Sequence, residues 1–114
     1  MNWVEELPPD LLNAAYRYGE EAAWDRAAGL RVIDDLSSRG GKVVGVEIWL
    51  PSSSAPTIPS RFFYGWTEPK LSRDYGGNYL EANKLARHYI MTFSWDPSDT
   101  AVLKLAPYFN LTVI

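Results

Sequence analysis

The sequence contains no cysteine. Disulfides, thiolate nucleophiles and sulfur-ligated zinc or iron-sulfur sites are therefore excluded from its chemistry. The same absence favours a reducing compartment, because small secreted domains depend on disulfides. Histidine occurs once, as His88, so a metal site would have to be built mainly from carboxylates. Apolar runs stay well short of the roughly 20 residues of a membrane span. The opening MNWVEELPPD carries acids and prolines where a signal peptide needs a basic start and an apolar core. Charge is not in large excess either: 11 basic against 14 acidic residues give a formal net charge of -3, with no general attraction for polyphosphate. The expectation is a cytoplasmic protein with no nucleic-acid or membrane partner, no cofactor and no metal.

What is present is a 114-residue chain with 46% hydrophobic and 14% aromatic content. That is enough for one core and too little for two, so residues 1–114 read as a single domain. In LPPDLLNAAYRYG the prolines suit the first turn of a short helix, with Leu11, Leu12, Ala15 and Tyr16 as its apolar stripe and Gly19 as its stop. From Glu20 to about Ser38, at about 100° per residue, Ala22, Gly29, Val32, Ile33 and Leu36 share one side of a second helix, which SRGG ends. The N-terminal helices thus span 9–38, and the sheet with a C-terminal helix spans 42–114. Trp24 falls on the polar side of the second helix. Two readings stand for it: the first helix or the segment around Trp3 folds over it, or it is an exposed aromatic anchor for a partner.

KVVGVEIWL alternates, with Val44, Val46, Ile48 and Leu50 pointing one way and Val43, Gly45, Glu47 and Trp49 the other. PSSSAPTIPS, with three prolines and four serines, reads as an irregular connection. RFFYGWT reads as a strand with Phe62, Tyr64 and Trp66 on one face. Asn78 and Glu81 have the spacing of a capping box, and behind them Tyr79, Ala82, Ala86, Tyr89, Ile90 and Phe93 form a helical stripe. Asp96, Pro97 and Asp99 suggest a short helix to Ala106, or a strand over 101–105; YFNLTVI closes as a strand. Because helices and strands do not alternate strictly, the fold class is α+β: a small, mainly antiparallel sheet covered on one face by two or three helices.

Catalytic constellations find little support. Glu5-Glu6, Glu20-Glu21 and Asp34-Asp35 are adjacent, so in a helix their side chains diverge by about 100° and cannot act as a dyad. His88 shares a polar helix face with Lys84 and Arg87 and reads as a surface residue. SRGGKVVG lacks the spacing of a phosphate-cradling loop. The aromatic content, with 5 Trp and 7 Tyr, points instead to a face on which Glu47 lies beside Trp49 and one row of the RFFYGW strand. Aromatic rings there supply apolar area at low entropy cost, and the carboxylate selects a cationic partner. The plainer reading is that Trp49 covers the sheet and Glu47 pairs with a neighbouring Lys or Arg.

VIDDLSSRGGKVVGVEIW followed by YGW resembles immunity protein family forty of bacterial polymorphic toxin systems. Gly45, Glu47, Trp49 and Trp66 take the places of that family's glycine, acid, aromatic and tryptophan, and YLEANKLARHYI and YFNLTVI fit its later helix and strand. Val46 stands where the family has a second glycine, and Glu47 where aspartate is commoner. The resemblance implies a non-enzymatic antidote that binds and neutralises a cognate toxin protein; a chain of this size is expected to be a monomer or small homo-oligomer. Its contacts would centre on Glu47, Trp49, Tyr64 and Trp66, with Trp24 as an outlier. The alternative is a small enzyme or ligand-binding domain with an aromatic pocket around Glu47.

Overall fold

A computed structural model of the chain describes residues 2–50, 65–67, 79–95, 97–98 and 106–114, with 65–67 described as backbone. The chain enters through a 3-10 helix, Trp3–Glu6, capped by the Asn2 side chain, which accepts the Val4 N–H at 3.0 Å. Proline at the first helical position, where no amide donor is needed, starts α1 (Pro9–Ala14).

Here the structure departs from the sequence pattern. The helix ends at Ala14, and residues 16–24 form a hairpin of β1 (Tyr16–Tyr18) and β2 (Glu21–Trp24), with Tyr18 opposite Glu21. The two-residue turn is Gly19-Glu20, and Gly19 has φ 62. Glycine at the first turn position is what a hairpin turn of this twist requires, so Gly19 is a hairpin residue and no helix stop. The expected helix from Glu20 is corrected in the same way. Its true N-cap is Asp25, whose carboxylate accepts the Ala28 N–H at 2.8 Å and opens α2 (Arg26–Arg39).

Helix α2 buries Ala28, Gly29, Val32, Ile33 and Leu36. It stops at Gly40, in the left-handed region at φ 80, with the Gly40 and Gly41 amides both donating to the Leu36 carbonyl. A Cβ on Gly40 would meet nothing within 4 Å, so substitution there tests the backbone alone. Gly40→Ala is expected to lower the unfolding free energy by about 1 kcal/mol in urea titration, and Gly40→Asn by less, because asparagine tolerates this conformation.

Four further elements follow among the described residues: β3 (Val43–Trp49), β4 (Gly65–Thr67), which pairs with β3, α3 (Tyr79–Thr92) and β5 (Tyr108–Val113). The described strands form one antiparallel sheet in the order β1-β2-β5-β3-β4, so the last strand in sequence lies between β2 and β3. Trp24, Phe109 and Ile48 lie in one register row, and all three belong to the hydrophobic cluster that also takes in Val32, Ile33 and Leu36 of α2 and Ala86 and Ile90 of α3. The architecture is therefore α+β, with the helices on one face of an antiparallel sheet.

The β3–β5 register shifts between Val43 and Gly45. A bulge of this kind adds a residue and reverses the alternation on one side of it. Val43 consequently joins Val46 and Ile48 in the core cluster, while Val44, also buried, does not; the expected face of Val44, Val46 and Ile48 is corrected at its first position.

The buried face of α3 carries Ala82, Ala86 and Ile90 as the pattern indicates, and also Asn83. Asn83 is 2% exposed and fully engaged. Its Oδ1 accepts the Val43 N–H at 2.8 Å, and its Nδ2 donates to the Gly41 carbonyl at 2.8 Å and to Ser37 Oγ at 2.9 Å. One side chain thus ties α3 to the end of α2 and to the bulge. At the other end of α3, Arg26 Nη1 donates to the Ile90 carbonyl at 2.7 Å and the Met91 carbonyl at 3.1 Å, with its guanidinium 5.8 Å from the Phe109 ring centroid. Asn78, residues 51–64 and the stretch 99–105 lie outside the described residues.

Candidate functional site

Directly opposed residues of an antiparallel pair share a face. The register therefore assembles a row across the sheet, Tyr16, Ala23, Asn110, Glu47 and Gly65. Its neighbouring rows, one register position to either side, contain core residues: Trp24, Phe109 and Ile48 on one side, Leu111 and Val46 on the other. Glu47 is thus on the face turned away from the helix-packed cluster, and Trp49, two residues on, shares it.

The two side chains form a unit. Trp49 Nε1 donates to Glu47 Oε1 at 2.8 Å, and the Tyr16 and Trp49 rings form a T-shaped pair at 6.3 Å between centroids and 87° between planes. Trp49 is only 3% exposed, whereas Glu47 is half-buried. Trp49 therefore holds the carboxylate and offers little surface of its own. An ionised carboxylate has room for about four donors. The indole fills one of these places, and among the described residues no lysine or arginine pairs with Glu47. The four ion pairs present, Arg17–Glu5, Arg31–Asp10, Arg39–Asp35 and Arg87–Asp34, lie elsewhere. In the Arg31–Asp10 pair, the hydrogen bond from the guanidinium holds the exposed Asp10 carboxyl below its ordinary range.

The other expected contacts separate. Trp24 is a core residue of β2, 0% exposed, with Nε1 donating to the Leu11 carbonyl at 2.9 Å and Trp3 packed 5.8 Å away, so it is withdrawn as a surface anchor. The reading in which the first helix and the Trp3 segment fold over it describes what is seen. Trp66 is in register with Val46, and Gly65 takes the place opposite Glu47. Tyr64 lies outside the described residues. Two residues that sequence reasoning passed over share the Glu47 face: Tyr16, which had been given to a helix, and Asn110 on β5. The alternation in YRYGEEAAW around a glycine was the signal available for Tyr16.

Among the described residues, no three His, Asp or Glu side chains gather where they could hold a metal ion, and no helix is long and apolar enough to cross a membrane. His88 is exposed on α3. A cleft of about 540 Å³ lies beside Trp3, Arg39 and Ile114 and another of about 200 Å³ between β2 and β5, and Glu47 lines neither of them. In comparisons with known proteins, the chain matches no family model, no curated protein and no solved structure.

Proposed function

We propose that the chain is a non-enzymatic immunity protein that binds a cognate bacterial toxin in the cytoplasm and blocks it, with the Glu47 face as the contact. The observation that carries this reading is a half-buried carboxylate oriented by an indole and left without a cation among the described residues. A carboxylate so placed has already lost part of its hydration and part of its rotational freedom. A lysine or arginine brought by a partner meets a pre-oriented acceptor and forms a charge-assisted hydrogen bond at reduced entropic cost. The resemblance of the β3 segment to immunity protein family forty supplies the class of partner, because Gly45, Glu47 and Trp49 are the residues that carry that resemblance.

Within this reading the roles divide. Glu47 makes the contact, while Trp49 and Tyr16 position it. Co-expression tests the proposal in cells: the chain is expected to restore growth of a host producing the polymorphic toxin encoded beside it, and Glu47→Gln to restore it poorly while accumulating to the same level. Glutamine keeps an oxygen for the Trp49 indole and removes only the charge. Equal protection by the wild type and Glu47→Gln would move the contact away from this face.

A further inference from the structure

Alternation along β1 sorts its three residues between the two faces of the sheet. Tyr16 is in the Glu47 row, so Tyr18, two residues on, shares the Glu47 face, and Arg17 is turned to the helix-packed side. Arg17 lies opposite Ala22, a member of the core cluster, and its guanidinium pairs with Glu5 of the 3-10 helix, as that orientation requires. On β2, Glu21 is directly opposite Tyr18 and therefore lies on the Glu47 face as well.

Tyr18 is 50% exposed, and the other exposed large hydrophobics among the described residues, Leu80, Leu85, Met91 and Ile114, lie on α3 or past the end of β5. Among the described residues, neither the Tyr18 nor the Glu21 side chain makes a hydrogen bond, an ion pair or a ring contact. The charge on this face is one-sided. Arg17 is the only lysine or arginine in the described strands, and it belongs to the other side, so the strands set no cation beside Glu47 or Glu21. Between these carboxylates the surface is aromatic. The Tyr16 and Trp49 rings meet although β2 and β5 separate their strands by three spacings, about 14 Å, so the rings close over the middle of the row, where Ala23 and Asn110 are buried.

We infer that the contact surface runs from Glu47 across this aromatic centre to the β1–β2 hairpin, and that it takes a protein surface presenting basic side chains roughly 15 Å apart. Tyr18 is the anchor at the hairpin end and Glu21 its carboxylate. Directly opposed side chains of a strand pair start about 5 Å apart, so one lysine or arginine can lie against the Tyr18 ring and pair with Glu21 at the same time. A tyrosine brings a large contact area with few torsions to order, which is why it recurs where binding energy concentrates. The span from Glu47 to Tyr18 fits within the ~800 Å² that each partner buries in an interface of standard size. The inference rests on the immunity reading for the identity of the partner and adds to it a second contact.

The test compares binding of wild type, Tyr18→Thr, Glu21→Gln and Arg17→Ala to the product of a toxin-like gene found beside that of this chain. Threonine removes the ring and keeps a strand former, and all three positions are exposed, so urea midpoints should match that of the wild type. Tyr18→Thr is expected to weaken the complex at least ~10-fold and Glu21→Gln ~3-fold or more, while Arg17→Ala, one residue away on the other face, stays within ~2-fold. Undiminished binding by Tyr18→Thr or Glu21→Gln, or an equal loss from Arg17→Ala, would overturn the hairpin contact, and a weakened Glu47→Gln in the same series would leave the immunity reading standing. Absence of a complex with the wild type would overturn that reading and the hairpin contact with it.

Discussion

Trp24→Ala is expected to remove about 3–5 kcal/mol of unfolding free energy, the range for deleting a large buried aromatic. That is a large share of the 5–15 kcal/mol typical of a domain. The Trp24 indole sits in the same register row as Phe109 and Ile48, packs against Trp3 at 5.8 Å and donates to the Leu11 carbonyl. It therefore joins the sheet, the 3-10 helix and α1 in one contact set. Truncation leaves a cavity in the centre of the fold and an unpaired carbonyl at its edge. Trp24→Phe separates the two effects: it keeps most of the ring volume and loses the N–H, so its cost should be smaller, about 1–3 kcal/mol. Equilibrium urea unfolding measures both. A tryptophan serving as a surface anchor would give the opposite pattern, with stability unchanged in both variants.

The second large effect belongs to Asn83. Asn83→Ala strips the acceptor from the Val43 N–H at the bulge and the donor from the Gly41 carbonyl. Each buried polar group left unpaired costs roughly 1–3 kcal/mol, so a total of about 2–4 kcal/mol is expected, partly offset where water enters. Asn83→Asp sharpens the point. An aspartate keeps an acceptor for Val43, loses both donors, and places a carboxylate against the Gly41 carbonyl. Burial would raise the pKa of that aspartate above its unfolded value, so the variant is weakest at neutral pH. It should regain stability as the pH falls through the folded pKa, because protonation restores a donor. Urea midpoints of Asn83→Ala and Asn83→Asp at pH 7 and pH 5 check both statements: only the aspartate variant should improve relative to wild type on acidification.

Asn83 also shows where the sequence stops being readable. Its helix was legible from the stripe of Ala82, Ala86 and Ile90, as were the stop at Gly40 and the strands β3 and β5, because helix ends and apolar periodicity are local properties. A polar residue next to that stripe looks like a helix flank, and its partners, Ser37, Gly41 and Val43, are about 40 or more residues away. Nothing local announces them. The hairpin of β1 and β2 was missed for a different reason. Ala22 and Ala23 have high helix propensity, but they are buried in the sheet, where tertiary packing overrides propensity. With the hairpin unseen, Trp24 was assigned to the polar side of a helix that begins only after it.

At the candidate site, alternation placed Glu47 and Trp49 together correctly, because both lie beyond the bulge. It could not tell that the ring is covered while the carboxylate is half-open, since exposure depends on what packs across the face. Trp49 thereby changes from an expected contact to a support, and Tyr16 enters as its neighbour.

In the proposed role, Glu47 supplies the charge that a cognate toxin would read. Calorimetric titration of wild type and of Glu47→Gln with the product of any toxin-like gene found beside that of this chain tests it most directly. A one-to-one complex is predicted for the wild type. For Glu47→Gln the loss of one charge-assisted hydrogen bond predicts roughly 10- to 100-fold weaker binding at an unchanged urea midpoint. Equal affinity of the two proteins for the toxin, or no complex with the wild type, would contradict the account.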